Sequence, residues 1–258
     1  MTMSIESTIH LYVWPERFLY LGPGTRTSPH RNHAATWLMA QEGDLRVTLA
    51  SGMVLEGQVI YIPSETGYTS DHAEKMIVAL YWEPESNSFQ QATARFDTNL
   101  ARVFKCQFEN LVELKSLCNM NTPLALAEQL LAKIFGLDAF ARTRATFSDA
   151  RIDTALNFLR NAPQAYDSIG TLAARVHLSP SRFAHLFKEQ VGVPVRRYVL
   201  WQKMRRALDL AIAGDSLTTA ALSAGFADSA HLSRTVRALM GVAPEFLFRH
   251  RGRLVVHH

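Results

Sequence analysis

A chain of 258 residues, 48% of them hydrophobic, with 27 Lys and Arg against 23 Asp and Glu, can bury a sizeable core and divide into two domains. No apolar run approaches the roughly 18 residues of a membrane span, and Met1 to Phe18 sets charges and Pro15 where a secretion signal carries its apolar stretch. A cytoplasmic chain with no membrane partner is expected, and its two cysteines, Cys106 and Cys118, read as small buried hydrophobes rather than a disulfide framework or zinc cluster.

The first part, residues 1–91, offers short runs of strand character. Asp44 to Leu49, Gln58 to Ile62 and Lys75 to Trp82 are separated by Ser51-Gly52, Glu56-Gly57, Pro63-Ser64 and Thr66-Gly67, and Leu45, Val47 and Leu49 alternate with polar neighbours. That pattern predicts a small antiparallel β domain, either packed solid or opened into a ligand cavity. From Ala92 the spacing turns helical: Leu100, Phe104, Phe108, Leu111, Leu114 and Cys118 form one stripe, and Leu126, Leu130, Ile134 and Leu137 another after Pro123. Residues 92–146 are therefore read as a helical linker whose apolar stripe packs on the β domain or pairs with a second chain in a homodimer.

Charge is unevenly divided. Up to Ala145 there are 12 basic and 15 acidic residues, whereas from Thr146 onward there are 15 basic and 8 acidic, so net positive charge sits in residues 147–258 and a polyanion is the partner it suits. The same stretch carries an internal repeat, Ser168 to Tyr198 and Ser216 to Phe248, in which Ala173 answers Ala221, Phe183 answers Leu232, Phe187 answers Val236 and Gly192 answers Gly241. Each copy reads as a short helix, a tight turn and a second helix. Ser179, followed by Pro180, and Asp228 stand at the start of the second helices as N-caps. Phe183 with Phe187, and Leu232 with Val236, face inward, leaving Ser181, Arg182, His185 and Lys188 outward on one helix and Ser229, His231, Arg234 and Arg237 on the other. Between the copies a helix over about Val195 to Ala213, with Arg196 and Arg197 at its start, spans nearly ~30 Å. That reach suits two helices entering successive major grooves about ~34 Å apart.

These residues resemble the DNA-binding domain of the AraC/XylS family of transcriptional regulators. The second family motif runs Gly-Phe, Asp, Ser, Phe, Arg, Phe-Lys, Gly, Pro, and here reads Gly225-Phe226, Asp228, Ala230, Leu232, Arg234, Val236-Arg237, Gly241 and Pro244, with Lys203 where an Arg is usual in the connecting helix. The resemblance implies base-edge reading by Ser181, His185, Ser229, His231 and Arg234. Arg182 and Lys188, with Arg196, Arg197 and Arg237, are read as phosphate anchors. Arg234 has a second possible role in an intramolecular ion pair.

The first part resembles the cupin-type sensory domain often found ahead of this unit. Gly24 precedes His30 by the interval of the first cupin motif, with Asn32 and His33 following, and Gly57 precedes Pro63 as in the second, with His72 downstream. The cupin metal set is incomplete, so no metal and no cofactor are expected; His30, His33, Trp37, Tyr61 and His72 are read instead as an effector pocket. The fold expected is α+β multidomain: an N-terminal antiparallel β cupin-like barrel, a helical linker and a C-terminal all-α domain with two helix-turn-helix motifs. The function expected is that of a sequence-specific regulator acting on double-stranded promoter DNA. It is expected to be an activator working with RNA polymerase, responsive to a small-molecule effector, and not an enzyme. The alternatives are a metal-dependent cupin enzyme localised by its basic C-terminal domain, and a protein that coats DNA without reading sequence. No Gly-rich phosphate loop, Gly-x-Ser-x-Gly elbow or His-Glu-x-x-His motif is present.

Overall fold

The computed structural model describes residues 8–73, 75–94, 97–104, 113, 116, 122–136, 147–248 and 253–258. Two compact units emerge, one of Met1–Arg144 together with Met240–His258, the other of Ala145–Leu239. The second is thus inserted, in sequence, between two pieces of the first. This differs from a division at residues 91 and 146 in two respects. The described residues between 92 and 136 group with the β unit rather than standing apart as a linker, and the end of the chain belongs with the β unit as well.

The first unit holds two sheets. Strands β1 (Ile9–Trp14), β2 (Arg17–Pro23), β4 (Ala35–Ala40), β7 (Val59–Ile62), β9 (Met76–Trp82), β10 (Arg102–Phe104) and β11 (Leu254–His257) form a seven-stranded sheet in the order β10-β7-β4-β9-β2-β1-β11. Strands β3 (His30–Arg31), β5 (Leu45–Leu49), β6 (Val54–Gly57) and β8 (Gly67–Asp71) form a four-stranded sheet in the order β3-β8-β5-β6. The ladders are separate and do not close into the barrel expected from sequence, and β11 runs parallel to β1 while the other pairs are antiparallel. The strands expected at 44–49, 58–62 and 75–82 are present as β5, β7 and β9. Strand β4 gives no alternation because all six of its residues are buried, so both faces demand apolar side chains.

One face of the larger sheet carries Tyr12, Trp14, Leu19, Trp37, Met39, Tyr61, Leu80 and Trp82. Helices α1 (Asn87–Thr93) and α2 (Leu124–Ile134) cover it with Phe89, Ala92, Ala127, Leu130 and Leu131. The stripe that starts at Leu126 therefore packs on the β domain through Leu130, while Leu126 itself is exposed. Arg17 fixes the placement: its buried guanidinium lies 4.7 Å from the Trp14 ring and bonds Glu128 of α2 at 2.5 Å. The helix expected through Leu100 and Phe104 is a correction, since Arg102–Phe104 pairs with β7 as an edge strand and presents Phe104 to Trp37. Phe108, Leu111, Leu114, Leu137, Cys106 and Cys118 lie outside the described residues.

The second unit is helical: α3 (Ala150–Asn161), a 3-10 turn at Pro163–Ala165, α4 (Ile169–Arg175), α5 (Pro180–Val191), α6 (Val195–Ala213), α7 (Leu217–Ser223) and α8 (Ser229–Met240), whose last residue passes into the first unit ahead of α9 (Glu245–Phe248). Ile152, Leu156, Leu159, Leu172, Phe183, Phe187, Tyr198 and Val199 form the core of its first half. Among the described residues no helix is long and apolar enough to cross a membrane.

Candidate nucleic-acid interface

Each helix-turn-helix copy is built by the same local chemistry. Ser168 Oγ accepts the Thr171 N–H at the start of α4, and Ser216 Oγ accepts the Thr219 N–H at the start of α7, both at N3. The chain then leaves each first helix through a left-handed residue, His177 (φ 55°) in one copy and Gly225 (φ 85°) in the other. The Leu178 N–H returns to the Ala173 carbonyl at 3.0 Å, and the Phe226 N–H to the Ala221 carbonyl at 2.9 Å. Ala173 and Ala221 are fully buried, as required where crossing helices approach closely. Beyond the turn the second copy holds one more residue. Ser179 Oγ then accepts the Arg182 N–H and Asp228 Oδ1 the His231 N–H, opening α5 and α8. Gly192, left-handed at φ 85°, closes α5, and its N–H bonds the Lys188 carbonyl.

The inward faces follow the expected pattern. Phe183 and Phe187 lie 5.7 Å apart between ring centroids and are fully buried, and Leu232 and Val236 are buried in the second copy. Outward on α5 stand Ser181, Arg182, His185 and Lys188, all exposed, with His185 Nε2 4.0 Å from the Glu189 carboxylate. On α8, Arg234 and Arg237 are exposed, and Arg234 makes no ion pair among the described residues. Ser229 and His231 are half-buried, and the His231 ring stands edge-on to Phe226 at 5.1 Å, so only part of it faces outward. Of the basic residues on α6, Arg196 is exposed beside the Tyr166 hydroxyl and Arg197 is half-buried.

Two positioning features escaped the sequence reading. Lys203 Nζ donates to the Gly225 carbonyl at 3.0 Å, tying α6 to the second turn, and burial lowers its pKa. His177 adopts the left-handed conformation that the other copy gives to glycine. The repeat offset of 48 residues, which pairs Ala173 with Ala221, also pairs His177 with Gly225 and was the available signal.

The five residues read as an effector pocket are not brought together. Trp37 lies 4.8 Å from Tyr61 and 4.9 Å from both Phe104 and Phe135, and the Tyr61 hydroxyl donates to the Thr98 carbonyl at 3.0 Å, all on the helix-covered face of the large sheet. Thr36, the next residue along β4, points to the opposite face. There Asn32 Nδ2 donates to Thr36 Oγ1 at 2.9 Å and to the Tyr68 hydroxyl at 3.1 Å, and His30 packs on Tyr68 with centroids 4.1 Å apart. Strand alternation thus separates Trp37 and Tyr61 from His30. Burial pushes the pKa of His30 and of His72 down to about 4 each, leaving both neutral. His33 is fully buried at 3.2 Å from the Glu85 carboxylate; burial opposes its charge, but Glu85, with Glu83 and Glu65, outweighs that and raises its pKa. Among the described residues no three His, Cys, Asp or Glu side chains form a group fit for a metal ion.

A family model described as a helix-turn-helix domain matches residues 172–250. The arabinose operon regulatory protein of Escherichia coli K12 is 30% identical over 122 residues, which cover 46% of this chain and 41% of that protein. The Salmonella typhimurium LT2 arabinose operon regulatory protein is 30% identical over 98 residues, 37% of this chain and 35% of its own length. The C-terminal part of this chain is thus similar to a helix-turn-helix domain. The chain matches only about two fifths of the length of these curated relatives. Over nearly the whole chain the fold is that of ToxT from Vibrio cholerae: the O395 structure superposes with a TM-score of 0.59 at 14% identity, covering 90% of this chain and 96% of that one. A structure of ToxT with an unsaturated fatty acid bound gives 0.56 at 11% identity, covering 90% and 94%.

Proposed function

We propose that this chain is a sequence-specific DNA-binding transcriptional regulator, an activator that works with RNA polymerase in the cytoplasm and responds to a small-molecule effector held in its N-terminal β unit. The observation that carries the reading is the pair of capped helix-turn-helix copies, joined by a 19-residue helix, with Arg182, Lys188, Arg234 and Arg237 exposed on their second helices. A protein that merely coats DNA has no use for two differently decorated helices at a set spacing. The similarity to the arabinose operon regulatory proteins supports regulation of transcription. That ToxT, of the same fold, has been solved with an unsaturated fatty acid bound supports an effector of small-molecule size.

The proposal assigns base reading to Ser181, His185, Ser229, His231 and Arg234, with Arg234 the foremost because it is exposed and makes no ion pair among the described residues. Phosphate anchoring falls to Arg182, Lys188 and Arg237, with Arg196 and Arg197 contributing from α6. Footprinting on DNA flanking the gene, with and without candidate metabolites, tests it. Two adjacent major grooves per subunit should be protected, and a homodimer would double the site. Arg234→Ala should cost ~1 to 3 kcal/mol of discrimination at one base pair, whereas Lys188→Ala should weaken all sequences alike and lower the salt slope by about 1. Binding of equal strength to every sequence would overturn the reading.

A further inference from the structure

The two ends of the described chain meet at the edge of the larger sheet. Strand β11 adds to β1 in parallel register, Ile9 opposite Leu254 through Tyr12 opposite His257, and among the described residues no other strand pairs with it. All four of its residues are only half-buried, so burial contributes little to its attachment. Side chains on one face meet instead. His257 lies flat on Tyr12, with ring centroids 4.2 Å apart and planes within 6°, and its Nε2 is 3.2 Å from Nδ1 of His10. The two imidazole centroids are 5.5 Å apart with planes 23° apart. That separation is the nitrogen-to-nitrogen gap plus the two ring radii, so the nitrogens meet head-on, as in an N–H···N hydrogen bond and unlike two ligands converging on a metal ion.

We propose that His10 and His257 form a proton-operated clasp, which holds β11 on the edge of the sheet at neutral pH and releases it in acid. The bond between them needs one nitrogen carrying a proton and the other bare. A neutral pair meets that need, and so does a pair holding one extra proton. A second extra proton leaves two N–H groups aimed at each other and two like charges in contact. Both imidazoles have lowered pKa values, His10 through burial and His257 through burial and then the charge of His10, so the pair starts neutral and titrates as a coupled unit.

Among the described residues no carboxylate is paired with either ring to offset that charge. On β1 the other titratable neighbour is Tyr12, whose hydroxyl donates to the Thr122 carbonyl and whose pKa burial raises, so it stays neutral. From β2, Leu21 stands opposite His10. Arg253, immediately before β11, carries positive charge at every pH considered, and among the described residues neither imidazole is ion-paired to a carboxylate. Release bares the outer N–H and C=O groups of β1, a template on which a further strand can pair.

Hydrogen exchange of the intact chain at pH 7.5 and pH 5.0, corrected for intrinsic exchange rates, tests the clasp. Amides of Leu254–His257 should lose at least about tenfold protection in acid while those of β9 keep theirs. In His257→Phe, which retains a ring against Tyr12 and cannot take a proton, protection should be the same at both pH values. If that variant fails to hold β11 even at pH 7.5, His10→Phe carries the comparison and should likewise show no acid-dependent loss. Unchanged protection in the wild type, or an undiminished acid loss in both variants, overturns the proposal. Neither outcome bears on DNA recognition.

Discussion

The two helix-turn-helix turns solve one geometric problem with different residues, and the difference is measurable. Gly225 sits at φ 85°, and a Cβ there would lie 3.0 Å from the Gln164 Cα. Gly225→Ala should therefore destabilise the protein by about 1 to 3 kcal/mol, read from denaturant unfolding. His177 holds φ 55° as a non-glycine, so His177→Gly removes strain while loosening the unfolded chain, and a gain of up to about 1 kcal/mol is expected in the same measurement. Buried imidazoles set opposite pH trends. For His30 and His72, with folded pKa values near 4, the unfolded chain binds more protons below pH 6.5, so stability falls as pH drops from there toward 4. His33 has the reverse sign. Its raised pKa gives a contribution that is complete below pH 6.5 and is lost as pH climbs through the folded value. A melting temperature followed from pH 5 to 9 should pass through a maximum, and Glu85→Gln should flatten the alkaline limb.

At the level of elements, the helical unit was legible because its signals are local. Ser168, Ser179, Ser216 and Asp228 cap their helices as short-range chemistry demands, and the repeat fixed which positions answer one another. Replacing Ser179 by Ala should cost about 1 kcal/mol of stability, and Asp228 by Ala a similar amount, with DNA binding weakened in proportion to lost helix order. Much of the β unit was opaque for a physical reason. Strand β4 is buried on both faces and shows no alternation, β10 is three residues long, and β11 lies more than two hundred residues from its partner. Trp37 and Tyr61 lie on a different face from His30 because a one-residue step along a strand reverses the face, which composition cannot register. Helix α2 offers a direct check on the packing. Arg17→Met, which leaves Glu128 without its partner 2.5 Å away and removes the guanidinium from the Trp14 ring, should lower stability more than Glu128→Gln, which leaves those ring contacts standing.

For the whole molecule, charge and architecture divide at nearly the same place: the acidic stretch up to Ala145 builds most of the sheets, and the basic stretch after it carries the helix-turn-helix copies and the proposed nucleic-acid interface. The affinity for DNA should accordingly fall steeply with salt. Combining Lys188→Ala with Arg237→Ala should reduce the slope of log affinity against log salt by about 2 if the two contacts act independently. The paired helix-turn-helix frame was readable from sequence because its caps, turns and inward positions recur at a nearly fixed offset. The partition into units was not, because Met240–His258 joins the β unit through tertiary pairing that leaves no periodic trace.

Strand β11 also sets an order of events during synthesis. The larger sheet has its first strand at Ile9–Trp14 and its outermost at Leu254–His257, so a ribosome must translate the entire inserted helical unit before that sheet can be finished. Until then the flank of β1 is open in the nascent chain, and the helical unit has time to fold on its own before the last strand emerges to seal the barrier against stray pairing.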